Sequence, residues 1–94
     1  MKAVAEIQVI PIGVGVSVRK EVQRAHRILV ASGLTAQLHA NGTNVEGDLD
    51  AIFEAVKRIH EVLHAEGTPR LATNLKIGTR TDKEPDMAGK LFEV

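Results

Sequence analysis

The chain has 94 residues, with twelve Lys and Arg balanced by twelve Asp and Glu and a formal net charge of zero. That balance gives no electrostatic reason to expect nucleic acid or an anionic membrane surface, and the absence of Trp and Tyr leaves no base-stacking platform. A single domain over 1–94 is expected, with a core of Val, Ile, Leu and Ala, and the lack of Cys excludes disulfides and thiolate metal sites.

"AVAEIQVI" at 3–10 reads as a strand ending at Pro11, with Ile7 and Val9 on one face and Glu6 and Gln8 on the other. Glu6 and Gln8 also interrupt any apolar signal core, and no run approaches the roughly 18–20 apolar residues of a membrane span. A soluble cytoplasmic protein is therefore expected. "PIGVGVS" is a Gly-punctuated loop whose Ser17 can cap a helix carrying Val18, Val22, Ala25 and Leu29 on one side. Ser32-Gly33 ends that helix.

"LTAQLH" at 34–39 alternates, opposing Leu34, Ala36 and Leu38 to Thr35, Gln37 and His39. Asn41-Gly42 signals a two-residue hairpin, which would pair Ala40 with Thr43, His39 with Asn44, Leu38 with Val45 and Gln37 with Glu46. Leu38 and Val45 then share one face, and the four polar side chains share the other. Asp48 is a good N-cap for a helix with a buried stripe of Leu49, Ile52, Val56, Ile59 and Leu63, with Phe53 at its margin. Gly67 and Pro69 stop it. "RLATNLKIG" at 70–78 alternates once more, and a short terminal helix is expected around 86–92.

The order strand, helix, strand, strand, helix, strand predicts an α+β, ferredoxin-like βαββαβ fold, in which a four-stranded antiparallel sheet carries two helices on one face. The other face is open, and the alternation puts polar groups there. Gln8, Gln37, His39, Thr43, Asn44, Glu46 and Asn74 are the candidate ligand-binding set. The set offers acceptors in the Glu46 carboxylate and the Asn and Gln carbonyls, and donors in the amide NH₂ groups and a hydroxyl. Glu46 is the leading single candidate, because a carboxylate buried at an interface needs a donor or a ligand.

His60-Glu61-Val62-Leu63-His64 offers a competing reading as the H-E-x-x-H helix of a zinc hydrolase, extending to Gly67. Two features weigh against it. The position of a third ligand is Arg70, a permanent cation, and Ile59 and Leu63 mark the flank beside both histidines as buried. No metal is expected, and no catalytic residue is assigned.

The stretches "AEIQVIPIGVGVSV", "GLTAQL", "NGTNVEGDLDAIFEAVKRIHE" and "LKIGTRTDKEPDMAGKLFEV" resemble the small thiamine-binding proteins of the YkoF-like superfamily, over nearly the whole chain. The resemblance implies a ferredoxin-like fold and a homotetramer joined through open sheet faces. It also implies non-enzymatic binding of thiamine or its hydroxymethylpyrimidine moiety, with no other cofactor. This chain departs from the family pattern at Val14, at Ala40-Asn41-Gly42-Thr43 and at Ile77-Gly78-Thr79. The alternative on the same fold is an ACT-like regulatory or assembly domain that takes another small polar metabolite.

Overall fold

A computed structural model of the chain describes residues 1–88. Strand β1 (Lys2–Ile12) is followed by helix α1 (Arg19–Ala31), strands β2 (Thr35–His39) and β3 (Gly42–Asp48), helix α2 (Leu49–Ala65) and strand β4 (Arg70–Gly78). The strands form one antiparallel sheet in the order β2-β3-β1-β4. This is the predicted α+β ferredoxin-like plan.

Ala3, Ala5 and Ile7 of β1 and Val45 of β3 point to the helix side and pack with Ala25, Ile28 and Leu29 of α1 and with Ile52, Ala55, Ile59 and Leu63 of α2. Small alanines in the central strand let both helices approach closely, and the fully buried Ile and Leu side chains each contribute about 1.5–3 kcal/mol. Phe53, placed at the stripe's margin by the sequence, is half exposed. No helix among the described residues is long and apolar enough to cross a membrane.

Asp48 caps α2 as expected, its Oδ2 accepting from the backbone N–H groups of Asp50 and Ala51. Ser17 does not cap α1. Val18 occupies the cap position, with no side-chain hydrogen bond there.

The hairpin differs from expectation in register. His39 pairs with Gly42, Leu38 with Thr43, Gln37 with Asn44 and Ala36 with Val45, so the two loop residues are Ala40 and Asn41. Gly42 does not have a positive φ. Its missing Cβ matters for another reason: a Cβ there would lie 2.9 Å from the carbonyl oxygen of Ile7. The glycine lets β3 lie close against β1 rather than supplying a left-handed turn. Because cross-strand partners slide by two residues, the face of every side chain is kept.

β1 also runs on through Pro11 to Ile12 instead of ending at residue 10. Its register with β3 ends at Ile7↔Thr43, whereas its register with β4 continues to Ile12↔Arg70. Pro11 therefore sits where one side of the strand is an edge, and a missing N–H is tolerated at an edge. The helix expected around 86–92 falls largely outside the described residues.

Candidate functional site

Side-chain alternation puts Glu6, Gln8, Gln37, His39, Asn44, Glu46, Asn74 and Lys76 on the open face, as expected. Thr43 is an exception among the candidate residues. It shares the helix side with Val45 and is only 6% exposed, so the seven do not make one surface.

Three polar groupings form on the open face. Gln8 and Asn74 are cross-strand partners, and Asn74 Nδ2 donates to Gln8 Oε1 at 3.0 Å. His39 Nδ1 accepts from the Asn41 N–H at 3.3 Å, which in a neutral ring leaves the proton on Nε2. Nε2–H then donates to Asn44 Oδ1 at 3.1 Å, with Glu6 Oε2 at 3.6 Å. Glu46 is engaged elsewhere. Its Oε2 accepts the Met87 N–H at 2.7 Å, and Lys2 Nζ stands 3.6 Å from its Oε1. The carboxylate thus fastens the segment after β4 across the sheet. Sequence reasoning saw that it needed a donor, but not that the donor lay 41 residues away.

Two cavities draw on these groups. One, of about 390 Å³, lies on the open face between Glu6, Gln37, Asn44, Lys76 and the returning Met87. The other, of about 260 Å³, lies where the hairpin tip, β1 and the start of α1 meet. Its floor is apolar, from Val18, Val22, Ala25 and Leu29, and its rim carries Gln8, His39, Asn41 and Thr43. Five consecutive residues of β1, Ile7 to Pro11, line it. A strand face supplies only alternate residues, so consecutive lining means that the backbone edge of β1 is exposed to the cavity. The sequence reading missed this site. A signal was present, since β1 keeps an apolar strand pattern well beyond the length that the short β3 can cover.

The His60–His64 pair is built into the helix–sheet seam. His60 Nε2 meets Thr73 Oγ1 at 2.7 Å, and His64 Nδ1–H donates to the Thr68 carbonyl at 2.8 Å. The ring centroids stand 6.2 Å apart. Among the described residues no three His, Cys, Asp or Glu groups come together in a metal-holding cluster.

Two carboxylates are held below their ordinary range. Asp82 is lowered to about 2, first by the hydrogen bond from the Arg80 guanidinium. Asp48 is lowered first by the N-terminal ammonium and further by the backbone N–H groups at the start of α2. Both are structural pairs outside the two cavities.

Comparison with known proteins adds a family to this geometry. The UPF0045 protein of Synechocystis sp. is 44% identical over 94 residues, covering all of this chain and 78% of the relative. The solved structure of a Methanocaldococcus jannaschii hypothetical protein superposes with a TM-score of 0.91 at 39% identity, covering 98% of this chain and 94% of that one. A candidate thiamine biosynthesis/salvage protein of Thermotoga maritima shares the fold, with a TM-score of 0.85 at 20% identity and coverage of 99% and 98%. The family model described as thiamine-binding protein matches residues 5–94, and the chain belongs to that thiamine-binding family.

Proposed function

We propose that this protein binds thiamine, or its hydroxymethylpyrimidine moiety, without transforming it. The ligand occupies the cavity at the edge of β1, and copies associate through the open sheet face into a cytoplasmic homo-oligomer, a tetramer as the family resemblance implies. The cavity carries this reading. An apolar floor with a few convergent polar groups is the usual form of a small-molecule site, and about 260 Å³ is below the roughly 300–1,000 Å³ of drug-sized pockets. It suits one planar ring and its substituents. The family membership supplies the chemical class of the ligand.

A second reading has one observation in its favour. The open-face cavity is larger and holds the Glu6 carboxylate, which would attract a thiazolium cation.

A thermal-shift series with thiamine, thiamine phosphate, hydroxymethylpyrimidine and zinc tests the function. A ligand at 100 times its Kd adds about 2.7 kcal/mol per site. The expected result is a saturable shift with thiamine or the pyrimidine, lost in Val22→Phe, which fills the apolar floor, and kept in Asn44→Ala. The reverse pattern would move the ligand to the open face. A shift with zinc alone would make the histidine pair the functional site.

A further inference from the structure

We infer that the aminopyrimidine ring is read by the backbone of β1, through the N–H and C=O of Val9, and not by a side chain. This rests on the proposed binding of a thiamine-type ligand in the cavity at the edge of β1.

The orientation of the backbone follows from two contacts. The Ile7 carbonyl oxygen lies 2.9 Å from where a Cβ on Gly42 would be, so it faces β3. The nearest strand atom to a Cβ on Gly78 is the Val4 carbonyl oxygen, which faces β4. In an antiparallel sheet both backbone groups of one residue point to the same neighbour, and successive residues alternate. Odd-numbered residues of β1 therefore address β3, and even-numbered ones address β4. β3 ends its register at Ile7↔Thr43, so the N–H and C=O of Val9 and the C=O of Pro11 have no strand partner on that side among the described residues. Val9 and Pro11 both line the cavity.

An extended residue presents one donor and one acceptor side by side in one plane. A 4-aminopyrimidine presents the complement: the exocyclic amine donates, and the adjacent ring nitrogen N3 accepts. Val9 N–H to N3 and the 4-amino N–H to Val9 C=O would continue the sheet by one planar unit, in the manner of a strand added at an edge. The pyrimidine face would then lie over the apolar floor. The 5-substituent is next to the amine, so it points along the strand toward Pro11, about 7 Å further on. Pro11 offers a carbonyl and no N–H. That acceptor-only edge suits the hydroxyl of hydroxymethylpyrimidine or the positive thiazolium of thiamine. Gln or His side chains can turn to accept a changed ligand, but a strand backbone fixed on its other side by β4 cannot.

The test uses the unaltered protein and two ligands, thiamine and oxythiamine. Oxythiamine carries a 4-oxo group in place of the amine and an N3–H in place of the acceptor, so both hydrogen bonds are reversed. Its expected affinity is about 10–100-fold below that of thiamine, since two buried pairs become donor against donor and acceptor against acceptor. In amide-resolved NMR titrations, the Val9 N–H resonance is expected to shift with saturating thiamine. Equal affinity for the two compounds, or thiamine binding that leaves the Val9 amide unmoved while shifting the Gln37 and Asn44 side-chain amides, would overturn backbone reading and leave thiamine binding intact. No binding of thiamine at all would remove the function itself, and backbone reading with it.

Discussion

Glu46 and Asp48 stand two residues apart at the end of β3, and their carboxylates are engaged by partners of different kinds. Asp48 caps α2 through N–H groups two and three residues ahead, a local relation that residue type and spacing reveal. Glu46 is satisfied by Lys2 and by the Met87 N–H, and neither partner has a sequence signature. The same distinction applies to Ser17, a residue of capping type that the loop geometry left unused. For Asp48 the sign of the pH effect is fixed. Its folded pKa lies below the ordinary 3.8, so its contribution to stability is complete above that value and is lost as pH falls through the lower folded value. The melting-temperature gap between the wild type and Asp48→Asn should therefore be widest between about pH 5 and 7 and narrow steadily below pH about 4. A gap independent of pH would mean that the charge contributes nothing beyond the cap. For Glu46→Ala, faster hydrogen exchange at the Met87 amide is expected, with thiamine affinity changed less than about twofold. A large loss of affinity would restore the carboxylate as a ligand contact.

At the level of elements, periodicity exposed which face each side chain takes but not which residue it pairs with. The Asn41-Gly42 signal placed the turn one residue late, because Gly42 is needed for the approach of β3 to Ile7 and not for a positive φ. Two different demands select glycine, and the sequence alone does not separate them. Gly42→Ala should cost about 1–3 kcal/mol in chemical denaturation, the usual penalty for a group forced against fixed backbone. An unchanged midpoint would show that the strands can part without penalty. Helix α2 gives the opposite case, since Ile52, Ile59 and Leu63 of its expected stripe are buried, with Ala55 beside them in place of the partly buried Leu49 and Val56. Ile59 at its centre is fully buried, and Ile59→Ala should cost about 2–5 kcal/mol. The histidines on the flank of α2 match a metal motif only in spacing. Each uses a ring nitrogen to bind β4 or the turn before it. The double substitution His60→Ala with His64→Ala should lose about 1–3 kcal/mol of stability and leave the thiamine response in place.

Across the whole molecule, the consequential features arise from mismatched lengths. β1 spans eleven residues and β3 seven, so the sheet has a fully paired half and a half where β1 has a free edge. The open face of the sheet mixes the Gln8–Asn74 bridge with the apolar Val4 and Ile10, and Ile10 is more than one-third exposed. Such a face suits contact with another copy of itself where the Gln8–Asn74 bridge and the apolar side chains meet, and the charged Glu6 and Lys76 beside them would then need partners across the contact. In the proposed arrangement the free edge is left to the ligand. If these roles are separate, they can be uncoupled by one substitution. Asn74 lies on the open face and lines neither cavity. Asn74→Arg would set a bulky cation beside Lys76 and break the Gln8–Asn74 bridge, adding positive charge to the face that copies would bury against each other. Like charges so placed cost several kcal/mol. Light scattering after size exclusion should show the mass of the variant falling to that of a smaller species, while thiamine still raises its melting temperature. Unchanged mass would mean that copies do not meet through this face. A smaller species that no longer responds to thiamine would mean that the ligand site is completed by a neighbouring subunit.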